Sequence, residues 1–194
     1  MKENSQIMID AKESLHGKWP LAIGTLVILF LITIGLSLIP YFGQIASLII
    51  TGPLVVGASF FALKISRDLD AKTDDLFYAF NNNFGNSVLA YLLIVIFVFL
   101  RLLLLIIPGI IASLAYSQTW FILSEDSSID SYDAILKSKK MMDGYKWKLF
   151  KIQLRLFGLG ILCLFTLGIG FLWLMPYQYV VYAKFYDELK SSSI

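Results

Sequence analysis

The sequence predicts an all-α polytopic membrane bundle of six transmembrane helices in three hairpins, with amphipathic cytoplasmic interface helices. Composition, six long apolar stretches and the placement of the charges predict this fold. Hydrophobic residues make up 58% of the 194 residues and charged residues 15%, whereas soluble domains average about 25% charged residues. We therefore expect one integral membrane domain over 1–194. The net charge of +2 gives no indication of a nucleic-acid partner.

Six apolar stretches approach the roughly 20 residues that a helix needs to cross about 30 Å of hydrocarbon. They pair around proline and glycine, because proline removes a helix donor and glycine tolerates positive φ. The predicted turns are at 40–43, at Pro108 and Gly109, and near Gly168 and Gly170. The predicted spans are 21–39, 44–63, 88–107, 109–123, 149–167 and 169–185.

The charged residues are segregated along the chain. All of them except Arg101 lie before Trp19, within 64–75, within 125–155 or after Ala183, and the three predicted hairpin turns carry none. Lysine and arginine near the ends of membrane spans are retained in the cytoplasm. We therefore predict that both termini and the charged segments are cytoplasmic.

Three charged segments are predicted to contain amphipathic helices. Segment 1–18 has Ile7, Met8, Ala11 and Leu15 at helical spacing. In segment 64–87, Thr73 is expected to cap a helix whose apolar side carries Leu76, Phe77 and Phe80.

In the third segment, 124–148, Asp130 or Ser131 is expected to cap a helix that bears Tyr132, Ile135 and Leu136, and Gly144 to end it. Two roles remain open for these helices: a lid packed on the bundle, or contact with anionic lipid head groups. The head-group candidates are Lys137, Lys139, Lys140, Lys146 and Lys148.

The residues that enzymes use are scarce. His16 is the only histidine, Cys163 is the only cysteine, and no predicted span contains a carboxylate. The sequence also lacks the motifs of zinc hydrolases, serine hydrolases and P-loop ATPases. We therefore predict no catalytic residue, no metal site and no cofactor, and expect a protein that is not an enzyme.

Arg101 is the one charged residue outside the charged segments, and it lies within a predicted span, about 10 Å from its outer end by helix rise. One interpretation is that its long side chain reaches the outer head groups. The other is that it belongs to a polar layer, because hairpin geometry brings residues at similar distances from the turns to one depth. Pro53 and Pro176 are expected to interrupt their helices in this layer. The other candidate residues of the layer are Thr51, Tyr116, Gln118, Tyr177 and Gln178.

Five short motifs occur in a fixed order through the second half of the chain: PGII from Pro108, SKKMMDG from Ser138, LGIG from Leu167, LWLMPY from Leu172 and FY at Phe185. In this order they resemble a bacterial multi-pass membrane family catalogued as domain of unknown function 975. The resemblance implies a bacterial plasma membrane and transfers no catalytic residue. The chain departs from the expected pattern at Leu159, where a tryptophan is expected, and at Arg155.

We expect an accessory or lipid-interacting role for the protein in that membrane. The alternative is a small transporter or channel with a polar layer around Arg101. The expected partners are membrane lipids, with a second copy of the chain or another membrane protein as further alternatives.

Overall fold

A computed structural model of the chain describes residues 1–40, 42–104 and 106–192. Over these residues the fold is all-α, which confirms the predicted helical class. The helices are α1 Asn4–Ser14, α2 Trp19–Ser37, α3 Phe42–Ser66, a 3-10 helix Thr73–Phe77, α4 Tyr78–Asn82, α5 Phe84–Leu104, α6 Ile106–Tyr116, α7 Thr119–Glu125, α8 Ser131–Met141, α9 Lys146–Leu164 and α10 Phe171–Ser192.

The long helices pair as α2 with α3, α5 with α6, and α9 with α10. The last turn contains Leu167 and Gly168, both with positive φ, of 53° and 86°.

The predicted position of the second turn, at Pro108 and Gly109, is wrong, because α5 ends at Leu104 and Pro108 lies in the first turn of α6. A first-turn proline is tolerated since its missing N–H would have no partner there. Tyr41 and Leu105, in the predicted first turn and third span, lie outside the described residues.

Six helices pack in a ring, and α3 also packs directly against α10. Helix α2 packs against α3 and α10, α3 against α5, α5 against α6, α6 against α9, and α9 against α10. We call the end that carries Arg67, Glu125 and Asp187 the charged end, and the end that carries the hairpin turns the turn end. The core lies mainly toward the charged end.

Helix α1 covers part of the charged end, and its predicted apolar side is confirmed. Ile7, Ala11 and Leu15 are at most 1% exposed and pack with residues of α3, α9 and α10. The Tyr177 hydroxyl donates to the carbonyl of Met8 at 2.9 Å, which joins α10 to α1.

The segment after α3 forms the 3-10 helix and α4 instead of one α-helix. Thr73 does not cap it: the preceding Lys72 is the N-cap, and its backbone N–H donates to the Asp75 carboxylate at 2.7 Å. Leu76 is fully buried on α3, whereas Phe77 is 39% exposed. An added Cβ at Gly57 would lie 1.8 Å from the Leu76 carbonyl oxygen, so glycine allows this close approach.

Helix α8 packs beside α5, α6 and α7. Asp130 caps it as predicted, by accepting from the Tyr132 N–H at 3.3 Å, and it ends before Gly144, whose φ is 79°. The buried side of α8 differs from the predicted apolar side. Tyr132 and Leu136 are 50% and 43% exposed, and the buried residues are Ser131, Ala134, Ile135 and Ser138.

Among the described residues, three helices are long and apolar enough to cross a membrane: Trp19–Ser37, Gly43–Ser66 and Phe84–Leu103. At the turn end, large apolar side chains are exposed, such as Leu38 at 75%, Phe165 at 83% and Leu167 at 95%. Exposed apolar surface on this scale indicates contact with lipid or another protein.

Candidate functional site

The polypeptide between α6 and α7 forms a break in the ring. Helix α6 ends at Tyr116 and α7 begins at Thr119, with Ser117 and Gln118 between them. The prolines were expected to interrupt their helices, but α3 continues through Pro53 and α10 through Pro176. This prediction was wrong because a proline removes only one donor, and packing on both sides keeps the helix continuous.

The side chain of Ser138 on α8 fills the break. Its hydroxyl accepts from the Gln118 N–H at 3.2 Å and donates to the Ala115 carbonyl at 2.8 Å. Ser138 is fully buried, so water does not provide these hydrogen bonds. The serine therefore pairs two of the backbone groups that the interrupted helix leaves without helical partners.

The Gln118 side chain has an acceptor with no partner. Its Nε2 donates to the Ser117 hydroxyl at 2.9 Å, and that hydroxyl donates its own hydrogen to the Leu114 carbonyl at 2.8 Å. In this arrangement the glutamine presents its amide nitrogen to Ser117. Gln118 Oε1 is then left without a hydrogen bond, in a residue only 1% exposed.

Gln118 lines a cavity of about 650 Å³ in the middle of the ring. All six ring helices contribute residues to its wall, which contains apolar and polar residues in about equal numbers. The volume falls within the roughly 300–1,000 Å³ of small-molecule sites. Four predicted layer residues line it together: Thr51, Tyr116, Gln118 and Gln178.

The other two predicted layer residues lie elsewhere. Tyr177 contacts α1 and is not part of the cavity wall. Arg101 is also absent from the wall, and its Nη1 donates to the Tyr116 hydroxyl from outside the cavity. The guanidinium carbon lies 5.4 Å from the Tyr116 ring centroid, close enough for a cation–π contact. Arg101 therefore supports the wall through Tyr116.

A second, apolar groove of about 400 Å³ lies between α2 and the start of α10. It shares Leu26, Phe30 and Met175 with the wall of the central cavity. Phe30 is 50% exposed and Met175 40% exposed, so these side chains lie where the groove meets the outer surface. The groove therefore adjoins the cavity at the side of the ring, with these three side chains between them.

An ion-pair network closes the charged end. Arg67 Nη2 lies 2.5 Å from both Glu125 Oε1 and Asp187 Oδ1. Glu125 also accepts from the Tyr186 hydroxyl at 2.7 Å and from Lys190 Nζ at 2.8 Å. The network joins α3, α7 and α10. The sequence analysis did not identify it, although each residue stands just beyond the end of a predicted span.

The network shifts the pKa values of its members. Burial alone would raise the pKa of Glu125, but hydrogen bonds from Lys190, Tyr186 and Arg67 outweigh it and lower that pKa. Burial, together with the Glu125 carboxylate, raises the pKa of Tyr186. Glu125 is therefore held ionised in the folded protein.

The five candidate head-group lysines fall into two sets. Lys137, Lys139 and Lys140 on α8 are exposed. Lys146 is half-buried and lies 3.4 Å from Asp143, and Lys148 donates to the Lys2 carbonyl. The sequence analysis also missed Trp147, which is 65% exposed, with Lys151 Nζ 5.8 Å from its ring centroid.

The described residues form a helical protein with three membrane-capable helices and an internal cavity, and contain no His, Cys, Asp and Glu cluster that could hold a metal ion. The chain belongs to the family described as Protein of unknown function (DUF975), whose model matches residues 1–107 and 94–193. No curated protein and no solved structure matches the chain.

Proposed function

We propose that this is a non-enzymatic, six-span protein of the bacterial plasma membrane that holds a lipid-like amphiphile between its three hairpins. The observation that carries the proposal is that two spaces adjoin. An apolar groove between α2 and α10 shares three lining residues with a cavity whose wall includes Gln118, and Gln118 Oε1 has no partner among the described residues. A ligand with an apolar chain and a small polar end matches this arrangement.

The proposed spans are α2, α3, α5, residues 109–123 of α6 and α7, and residues 149–167 and 169–185 of the last hairpin. The hairpin pairing and the exposed apolar side chains at the turn end support this topology. The concentration of lysine and arginine at the charged end supports a cytoplasmic position for both termini.

Lateral entry supports a lipid as the ligand. At the charged end, the network of Arg67, Glu125 and Asp187 ties three helices together, whereas the groove at Phe30 and Met175 is lined only by apolar residues and glycine. Bilayer lipids have access to the side of a membrane protein, and water-soluble solutes do not. The alternative, a transporter or channel around Arg101, has less support because Arg101 does not line the cavity.

The proposal is tested with purified full-length protein, freed of bound lipid and incubated with a photoactivatable lipid that carries its reactive group on an acyl chain. We expect crosslinks to peptides of α2 and α10 beside the groove. Met175→Trp should fill the junction and strongly reduce labelling. Leu164→Trp is the control, because Leu164 is 64% exposed on α9 and lines neither space. Equal labelling of both variants would contradict the proposal.

Topology is tested separately in a variant with Cys163 replaced by alanine. A single cysteine at Asn82 or Lys139, both exposed at the charged end, should react with an impermeant maleimide only after the membrane is opened. A cysteine at Leu167 should react in intact cells. Reaction of the Asn82 variant in intact cells would exclude the six-span arrangement.

A further inference from the structure

We propose that the cavity selects a lipid whose head group is an uncharged hydroxyl, as in diacylglycerol, over a lipid with a phosphate head group. The inference rests on the proposed function and specifies its ligand. It depends on three features of the described residues: the charge of the cavity wall, the unpartnered acceptor, and the composition of the groove.

The cavity wall is uncharged. Among the described residues that line it, the polar ones are serine, threonine, tyrosine, tryptophan and glutamine, and none is an acid or a base. Transfer of an ionised phosphate from the head-group region into such a wall would be costly, since nothing there neutralises it. Arg101, on the α5–α6 hairpin, does not line the cavity, and its guanidinium already bonds to the hydroxyl and contacts the ring of Tyr116.

The acceptor in the wall requires a donor from the ligand. Gln118 Oε1 is buried beside the cavity and has no partner among the described residues, while Ser117 accepts from the amide nitrogen and donates to Leu114. A ligand hydroxyl would donate to this oxygen once the Gln118 side chain turns toward the cavity. The ionised oxygens of a phosphate head group accept hydrogen bonds, so they would leave Oε1 unpaired and add their own desolvation cost.

The same wall also provides donors and acceptors that suit a hydroxyl. Gln178, which lines the cavity, donates from Nε2 to the Tyr182 hydroxyl at 3.0 Å. The groove has no hydrogen-bonding side chain among its lining residues, so it fits an acyl chain and not a second polar group. The polar end of the ligand is therefore placed at Gln118 and an apolar chain along α2.

The test compares two photoactivatable lipids with identical acyl chains, diacylglycerol and phosphatidic acid, on the purified full-length protein in detergent. They differ only in the phosphate. We expect diacylglycerol to label the α2 and α10 peptides at least about tenfold more strongly. An unlabelled long-chain alcohol is added as competitor, and its competition would show that the hydroxyl is recognised apart from the glycerol backbone.

A matched pair of variants tests the role of Gln118. Gln118→Leu removes the acceptor and should reduce diacylglycerol labelling roughly three- to tenfold. Gln44→Leu is the same change at an exposed position near the turn end, and should leave labelling unchanged. The comparison of the two lipids on the unaltered protein does not depend on the variant folding.

The outcomes separate the two proposals. Labelling by neither lipid at α2 and α10 would reject the proposed function itself. Equal or stronger labelling by phosphatidic acid would leave the lipid-holding function in place and overturn the preference for an uncharged hydroxyl. Preference for diacylglycerol that survives in a folded Gln118→Leu variant would also overturn the inference, because the head group would then not lie at Gln118.

Discussion

The Ser138 hydroxyl on α8 accepts a hydrogen bond from the backbone N–H of Gln118, at the break between α6 and α7. It also donates to the Ala115 carbonyl, so a residue of a charged segment completes a helix of the ring. This contact gives α8 a structural role beyond covering the bundle, and it holds the backbone of Gln118, a residue of the cavity wall.

Ser138→Ala is expected to destabilise the folded protein. It would leave the Gln118 N–H and the Ala115 carbonyl buried without a partner, at a cost of about 1–3 kcal/mol in the free energy of unfolding. Thermal unfolding in detergent measures the change. Ser37→Ala is the control, because Ser37 is exposed and bonds only to its own helix, at Ile34. Equal effects of the two substitutions would show that Ser138 does not support the break.

Arg101 and Tyr116 are expected to act as a coupled pair. Removing the guanidinium with Arg101→Leu or the hydroxyl with Tyr116→Phe breaks the same hydrogen bond, so the double variant should be less destabilised than the sum by about 0.5–3 kcal/mol. Thermal unfolding of the two single variants and the double variant measures this difference.

The control for this double-mutant comparison combines Arg101→Leu with Gln118→Leu. Gln118 bonds to Ser117 and Ser138, and no described contact joins it to Arg101. These two substitutions should be additive within about 0.5 kcal/mol. Strong coupling between the two substitutions would support the polar layer around Arg101 that the sequence predicted.

Glu125 is expected to make the fold sensitive to acid. Its pKa in the folded protein lies below the ordinary value of 4.5, so its ionised form stabilises the fold above about pH 4.5. That contribution is lost as the pH falls from there through the lowered folded-state pKa. Glu125→Gln should therefore lower the melting temperature at neutral pH and flatten its fall below pH 4.5.

Melting temperatures of the wild type and variant between roughly pH 3 and pH 7 test this prediction. Glu13→Gln is the control, since Glu13 is exposed on α1, and it should follow the wild-type profile. A Glu125→Gln profile parallel to that of the wild type would mean that another group controls the acid sensitivity.

The exposed lysines of α8 are expected to contact anionic lipid. Changing Lys137, Lys139 and Lys140 together to glutamine should reduce the thermal stabilisation that phosphatidylglycerol gives the solubilised protein, since each charge near an anionic surface contributes about 1 kcal/mol. The variant Lys146→Gln with Lys148→Gln is the comparison. Its lysines already have partners in the protein, so it should lower stability without changing the response to lipid.

Local features of the sequence predicted much of the fold. Residues 4–14 form the expected amphipathic helix with Ile7, Ala11 and Leu15 inside, because helical spacing alone places these side chains on one face. Asp130 and Gly144 bound α8 as expected, because capping and positive φ depend on residue type. The turn at Gly168 follows from the same conformational preference.

Features that depend on several helices were predicted poorly. Residues at similar distances from the hairpin turns were predicted to lie at one depth, and four of them do line the cavity together: Thr51, Tyr116, Gln118 and Gln178. The same argument wrongly included Tyr177, whose hydroxyl bonds to α1. Depth is set by position in the chain, whereas the direction of a side chain depends on how each helix is rotated against its neighbours. The ion-pair network at Arg67 was missed for the same reason.

The sequence by itself determined that the chain is helical, that its apolar helices pair as hairpins, and that its charges gather at one end. Composition, helical period and turn residues are local properties, and they suffice for this. Tertiary structure alone decided that the ring breaks at Gln118 and not at Pro53 or Pro176, because Ser138 on another helix pairs the groups freed there. It also decided that Gln118 Oε1 lacks a partner, since that depends on the bonds already made by its neighbours.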